Sequence, residues 1–438
     1  MKKLFSLVLV SALLLSACGS TATPQTPATT PPATNNPSVT NAPVVETPAV
    51  EEPEDELSGN LLVWLDSEPW AEALIKAFTA KHPKVTIEWE LGGLGSATDL
   101  ALAGPAGTGA DVISMPHNGL SEAFADGVLE PFPAALQATY EEMLIEPAMK
   151  TGKVDGTLYG APIGWENIGL FYNKDLIATP PQTFDEIFEF AKTYNDPSAG
   201  KYAMQWVAND AFHNYFALTA FGYSLFGPNM EDYKQLGFDL PSVTEGLKFH
   251  TSLREIFPLN SSDISWENTV AAFGRGEVPL CITGTWAIAG LKENNINFGV
   301  TKIPTINGVQ PRVFAAGTLV GVSSYSENKE AAFAFADFMV SEEGAAIFYA
   351  EKASLPTLKD LSGIPGLADD EPLMGLAEQS PYADAMSSIP ETGTVLWVPF
   401  NELFTFAWDG QLTVEETQAK STESFEMLLN ATGKSLYD

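Results

Sequence analysis

FGRGEVPLCITGTWA, residues 273–287, is the stretch from which the architecture of the chain can be worked out. Gly274 and Gly276 make a turn after a helix-like segment that ends near Phe273. Val278 to Ile282 is a short apolar run between turn signals, and it reads as a buried strand. Thr283-Gly284-Thr285 closes the strand, and Trp286 follows at once. In open α/β sheets ligands gather beyond the carboxyl ends of strands, where a glycine lets the backbone approach. A Trp delivered to that place either lies flat against a ligand or plugs the core. These residues alone leave both readings open.

This stretch resembles the signature of extracellular solute-binding proteins of the maltose-binding type, in which a helix, a glycine turn and a strand present a sugar-stacking Trp. The similarity runs from Leu61 to the C-terminus, so it covers the whole globular part. It implies an α/β chain with a two-lobed periplasmic-binding-protein fold of type II. Each lobe would be a mainly parallel sheet flanked by helices. Lobe 1 would comprise 59–164 plus 319–362 and lobe 2 would comprise 169–314 plus 368–438. A multi-segment hinge would lie near 164–169, 314–319 and 362–368. The resemblance further implies a monomer that binds a carbohydrate and hands it to an ABC permease and ATPase, which are other chains. It implies no cofactor.

The first 58 residues carry an address and a tether. Met1-Lys2-Lys3, an apolar run from Leu4 to Leu15 and then Ser16-Ala17 make residues 1–17 a signal peptide. Leu15-Ser16-Ala17-Cys18 resembles a lipobox, in which Cys18 becomes a lipidated N-terminus and anchors the protein to a membrane. Residues 18–58 are rich in Pro, Thr and Ala and then acidic, without the apolar content that would offset ordering entropy. As a flexible coil they would reach about 35 Å.

Composition excludes several functions. A formal charge of −34 over 438 residues argues against nucleic acid, which needs clustered Lys and Arg. Apart from Cys18 there is one cysteine, Cys281, expected as a small core residue. The histidines (His82, His117, His213 and His250) have no metal spacing, and neither a phosphate loop nor a nucleophile elbow occurs.

Along the globular part, strands are expected at Asn60 to Trp64, Val85 to Trp89 and Gly109 to Ser114, with helices between them. That β-α-β-α-β order brings three strand ends to one edge, where a cleft forms. Asp66, Glu68 and Trp70 follow the first strand end and Asn118 follows the third. Asp155-Gly156 forms a hairpin tip. The resemblance then places Trp165 and Glu166 in an inter-lobe crossover, where a flat apolar surface beside a carboxylate suits a sugar. Thr183 and Glu186 have capping-box spacing. At a position where the family sets a carboxylate and an aromatic on the sugar, the nearest candidates are Asn209 and Phe212. Phe314 to Val322 is the expected second crossover. Phe333, Phe335 and Phe338 are expected core. Trp397 falls on the family's second stacking Trp, and Asn401, one helical turn on, faces the same way.

The match departs from the family at several polar anchors. Pro69 stands in place of a lysine, Met115 in place of a Trp, Asn118-Gly119 in place of an Asp-Arg pair, and Asn401 in place of an arginine. A sugar is therefore better supported than maltose itself. Two further readings stay open at this point. One is a same-fold binding protein for another small solute, such as a polyamine or ferric ion. The other is a surface glycosidase, which would need a carboxylate pair across the sugar; Asp66, Glu68 and Glu166 are the cleft acids, and no pairing among them is visible.

Overall fold

Strand β1 (Gly59–Leu65) is apolar on alternate and then consecutive positions because it lies inside a sheet covered on both faces. The computed structural model describes residues 57–93 and 95–437. The expected signal peptide, Cys18 and nearly all of the tether lie outside the described residues. Strands β2 (Val85–Leu91) and β3 (Val112–Pro116) flank β1, both parallel to it. The helix Glu68–Lys81 makes the first crossover and buries Trp70, Leu74 and Phe78, spaced four apart on one face. A small hairpin follows, β4 (Lys153–Val154) and β5 (Thr157–Leu158), with Asp155 and Gly156 at φ 49° and 80° as a two-residue turn of this kind requires.

Strand β6 (Ala161–Asn173) is one unbroken run of 13 residues. The remaining strands are β7 (Met204–Trp206), β8 (Leu280–Gly284), β9 (Phe298–Thr301), β10 (Val313–Val322), β11 (Leu355–Pro356) and β12 (Ala383–Ala385). The sheet runs β2-β1-β3-β10-β6-β8-β7, with β11 and β9 also on β6 and β12 on β10. The pairs β1–β2, β1–β3, β7–β8 and β10–β12 are parallel. Within this sheet the antiparallel pairs all involve β6 or β10, its two longest strands. The first half of β6 pairs with β10 and β11, and its second half with β8 and β9. Strand β10 meets β12 over residues 313–315, β6 over 315–320 and β3 over 318–322.

Two boundaries moved from expectation for identifiable reasons. Strand β8 begins at Leu280 rather than Val278, since Pro279 has no N–H to enter the ladder. The helix expected from Phe216 begins at Ala211, because Asp210 caps it by accepting the His213 N–H. Thr183 caps its helix as expected, but Glu186 reaches back to Gln182 N rather than to Thr183 N. Cys281 is fully buried, and burial pushes its thiol up to about 12. Phe335 and Phe338 are core and Phe333 packs partly buried against them.

Candidate functional site

Glu166 lies directly opposite Ala316 across the β6–β10 ladder. Partners across a ladder share a face, as do alternate residues along a strand, so Glu166, Phe314, Ala316 and Thr318 line one side of this ribbon. Glu166, Ala316 and Thr318 are half-buried, which makes that side an open floor. Phe314 is fully buried at its end and joins the floor to a group of aromatic rings.

Those rings form a row. Trp286 packs on Phe212 at 5.8 Å, Phe212 stacks on Phe314 at 6.1 Å, and Trp397 meets Phe314 edge-on at 6.0 Å. Beneath them Tyr215 stacks on Phe314 at 3.9 Å, which fixes the position of the central ring. Trp286 is 38% exposed and Trp397 half-buried, so the two ends of the row are the accessible parts. The sequence builds each end in its own way. Trp286 sits in the short turn Thr285–Ala287 straight after β8, and its ring folds back over Gly284, where an added Cβ would come within 2.4 Å of the indole. Glycine there lets the indole lie against the backbone, and a larger residue would push the ring away. Trp397 opens the helix Trp397–Asp409 and follows a π-helical turn, Thr392–Leu396, a wider turn often found at functional sites.

A charged group lies near the carboxylate. Asp66 is exposed just past the end of β1 and pairs with Lys352 at 2.8 Å. Burial raises the Glu166 carboxyl above the usual carboxylate range; the Lys352 charge opposes that rise and Asp66 adds to it. Lys352 ends the helix Glu342–Lys352 and hangs 5.7 Å over the Trp70 ring. Sequence reading missed it, although a cation in a last helical turn next to a strand end is a recognisable signal. Glu68 is exposed in the first turn of its helix, and Asn118 is exposed beyond β3. The neighbouring His117 is buried; it accepts Gly317 N–H through Nδ1 and donates from Nε2 to Met386 O.

Two expected ligand contacts, Trp70 and Trp165, are corrected, and Asn209 and Asn401 each hold one structural hydrogen bond through the side chain. Trp70 is 1% exposed and packs edge-on against Phe348, because it belongs to the buried stripe of its helix. Trp165 is fully buried; neighbouring residues on a strand point to opposite faces, so with Glu166 on the floor Trp165 must enter the core. Asn209 donates to Ser261 O, and its own carbonyl accepts from Thr405. The Asn401 carboxamide oxygen accepts the Ala211 N–H and so ties two helices together. Phe212, Trp286 and Trp397 are brought together in the row, and Asp66 and Glu166 are electrostatic neighbours. Asp210 and His213, which flank Phe212, were not singled out by the sequence, although Asp210 at an N-cap three residues before His213 is a readable pattern.

A separate hollow of about 460 Å³ lies between Ile145, Leu355, Leu358, Met374 and Ala377. Its lining holds no aromatic ring, which makes it a poor match to a sugar. Among the described residues no group of three or more His, Cys, Asp or Glu side chains is placed to hold a metal ion.

The sequence model of the family described as bacterial extracellular solute-binding protein matches residues 73–375. A maltotriose-binding protein of Pyrococcus abyssi is 29% identical over 287 residues, which is 64% of this chain and 62% of that protein. A galactooligosaccharide-binding protein of Bacillus subtilis is 27% identical over 391 residues, 85% of this chain and 91% of the other. A maltooligosaccharide ABC transporter solute-binding lipoprotein of Streptococcus pneumoniae is 26% identical over 308 residues, 68% and 71% of the two chains. Among solved structures, a cyclo/maltodextrin-binding protein complexed with maltotetraose superposes with a TM-score of 0.79 at 29% identity, covering 86% of this chain and 98% of that one.

Proposed function

The chain belongs to the bacterial extracellular solute-binding protein family, and from that premise we propose that its cleft binds an oligosaccharide for delivery to an ABC importer. The observation that carries this reading is the aromatic row from Trp286 through Phe212 and Phe314 to Trp397, set against the floor that holds Glu166. Sugar rings offer flat C–H faces to aromatics and hydroxyls to carboxylates, and the two indoles at the ends of the row suit two rings of one chain. The raised Glu166 carboxyl, Lys352 and Asp66 provide the polar contacts that the changed anchors of the first lobe do not. A malto-oligosaccharide is the favoured ligand, since relatives named for maltotriose and maltooligosaccharide are among those matched. The two lobes would close on the ligand by bending near 164–169, 314–319 and 362–368, and the closed form would engage the permease.

We further propose that Cys18 is lipidated and holds the protein on the outer face of the cell membrane. Cys18→Ala should move it from the membrane to the soluble fraction, and unchanged fractionation would refute the anchor.

The function is tested by melting residues 57–438 against maltose, maltotriose, a galactotriose and spermidine. A ligand at 100 times its Kd adds about 2.7 kcal/mol of stability. A shift with a saccharide and none with spermidine is expected. A shift with spermidine alone would overturn the carbohydrate reading.

A further inference from the structure

Asp210 and His213 form a dyad at the edge of the aromatic row. Asp210 Oδ1 accepts the backbone N–H of His213 at 2.7 Å, and its carboxylate meets the His213 Nδ1 at 2.8 Å and 3.0 Å. An ionised carboxylate only accepts, so in the neutral ring the proton sits on Nδ1 and Nε2 is left as a bare acceptor. His213 is 8% exposed, and its Nε2 is buried without a hydrogen-bond partner among the described residues. A buried acceptor without a donor is costly, and such a group calls for an explanation. The ring stands perpendicular to Trp286 at 6.1 Å and 5.6 Å from Phe212. Trp286 is the exposed partner of the two, carried on a three-residue turn.

We propose that His213, held in the Nδ1–H tautomer by Asp210, determines specificity by accepting the O–H of a sugar hydroxyl beside Trp286. The inference rests on the carbohydrate reading above and adds to it a particular hydroxyl. For Nε2 to meet a ring stacked on the indole, the Trp286 side chain, the exposed partner of the pair, must shift. Stacking rewards the presence of a sugar ring, whereas a fixed acceptor at its rim selects for a ring with a free hydroxyl there. A deoxy or O-methyl sugar at that position would leave Nε2 unpaired and be rejected. Asp210 is a positioning residue, since it acts only through the imidazole.

The test uses the protein with 15N-labelled histidine, with maltotriose and a galactotriose as probes. Calorimetry gives affinities for the parent, His213→Phe and His213→Gln, and long-range 1H–15N spectra follow the ring nitrogens. In the ligand-free parent, Nδ1 should give a protonated signal and Nε2 an unprotonated one, and saturating sugar should move Nε2 upfield. His213→Phe should weaken binding by about tenfold to a hundredfold. His213→Gln, whose carboxamide oxygen reaches toward the position of Nε2, should recover part of the loss. Unchanged affinity in His213→Phe, or an Nε2 signal unmoved by bound sugar, overturns the inference and leaves the carbohydrate reading intact. If His213→Phe does not fold, the Nε2 signal of the parent decides alone. A parent that binds neither saccharide refutes the carbohydrate reading, and this inference with it.

Discussion

Trp286 and Trp70 are the same residue type in opposite situations, and the difference lies in what surrounds each one. Trp70 is locked between helix and helix, with its ring against Phe348 and its indole N–H unpartnered among the described residues. Trp286 rests on the backbone of Gly284 with over a third of its surface open. Trp286→Ala should therefore cost binding and little stability: about 1–3 kcal/mol of affinity, as for losing a well-placed aromatic contact. Trp70→Ala should cost about 3–5 kcal/mol of stability and leave the affinity of the folded fraction unchanged. Melting and sugar calorimetry on the same two variants check both. A Trp286→Ala protein that unfolds early yet binds normally would make Trp286 a core plug. At this scale the sequence was legible where one residue type could do one job. Trp286 and Trp397 could be marked as stacking candidates only through the family resemblance, since the residues alone left Trp286 open between platform and core plug. Trp165 was misplaced because Trp165-Glu166 reads as a loop pair until the strand that contains it is known, and then alternation sends one residue inward.

At the scale of elements, the β-α-β order of the first lobe could be read directly, since apolar runs of strand length alternate with helical spacing and fix parallel pairing. What stayed hidden depends on long-range pairing. The 13 residues of β6 look like two short strands and a linker, because Gly164 and Gly169 resemble turn signals. Gly164 is needed for another reason, as an added Cβ there would come within 2.5 Å of the Phe348 ring. The π-helical turn before Trp397 has no signature in composition either. It adds a residue to one turn and so changes the direction in which the next side chain leaves the helix. The spacing that placed Trp397 and Asn401 on one face is real, yet Asn401 turns its oxygen to Ala211.

For the whole molecule, membership of a solute-binding family means that the chain binds without turning its ligand over. Its stability should also respond to acid through two buried histidines. Burial lowers the pKa of His117, against the pull of its bonds to Met386 and Gly317, and burial takes His250 down to about 3. Both are therefore neutral in the folded protein and regain an ordinary value near 6.5 on unfolding. The unfolded chain then binds more protons, so stability is lost as pH falls below about 6.5, by up to about 1.4 kcal/mol per pH unit for each histidine. His250→Phe gives up the bond to Ala208 O and should lower stability near pH 7, yet it should flatten the slope between about pH 6.5 and about pH 5. Urea unfolding of parent and variant at both ends of that window measures this, and equal slopes would contradict it.

The antiparallel pairing of β6 with β10 also has a mechanical meaning. Two strands joined rung by rung, here from Ala315 opposite Asn167 to Val320 opposite Ala161, can twist and flex as a ribbon. They cannot slip lengthwise without breaking all their rungs together. If the lobes close as proposed, this pairing would limit their travel to rocking about a fixed axle. The register shift between Thr318 and Leu319 interrupts the ladder once, and a bulge of this kind bends and twists its strand locally. Glu166 and Phe314 lie on these two strands, so in such a motion the carboxylate and the central ring of the row would keep their alignment.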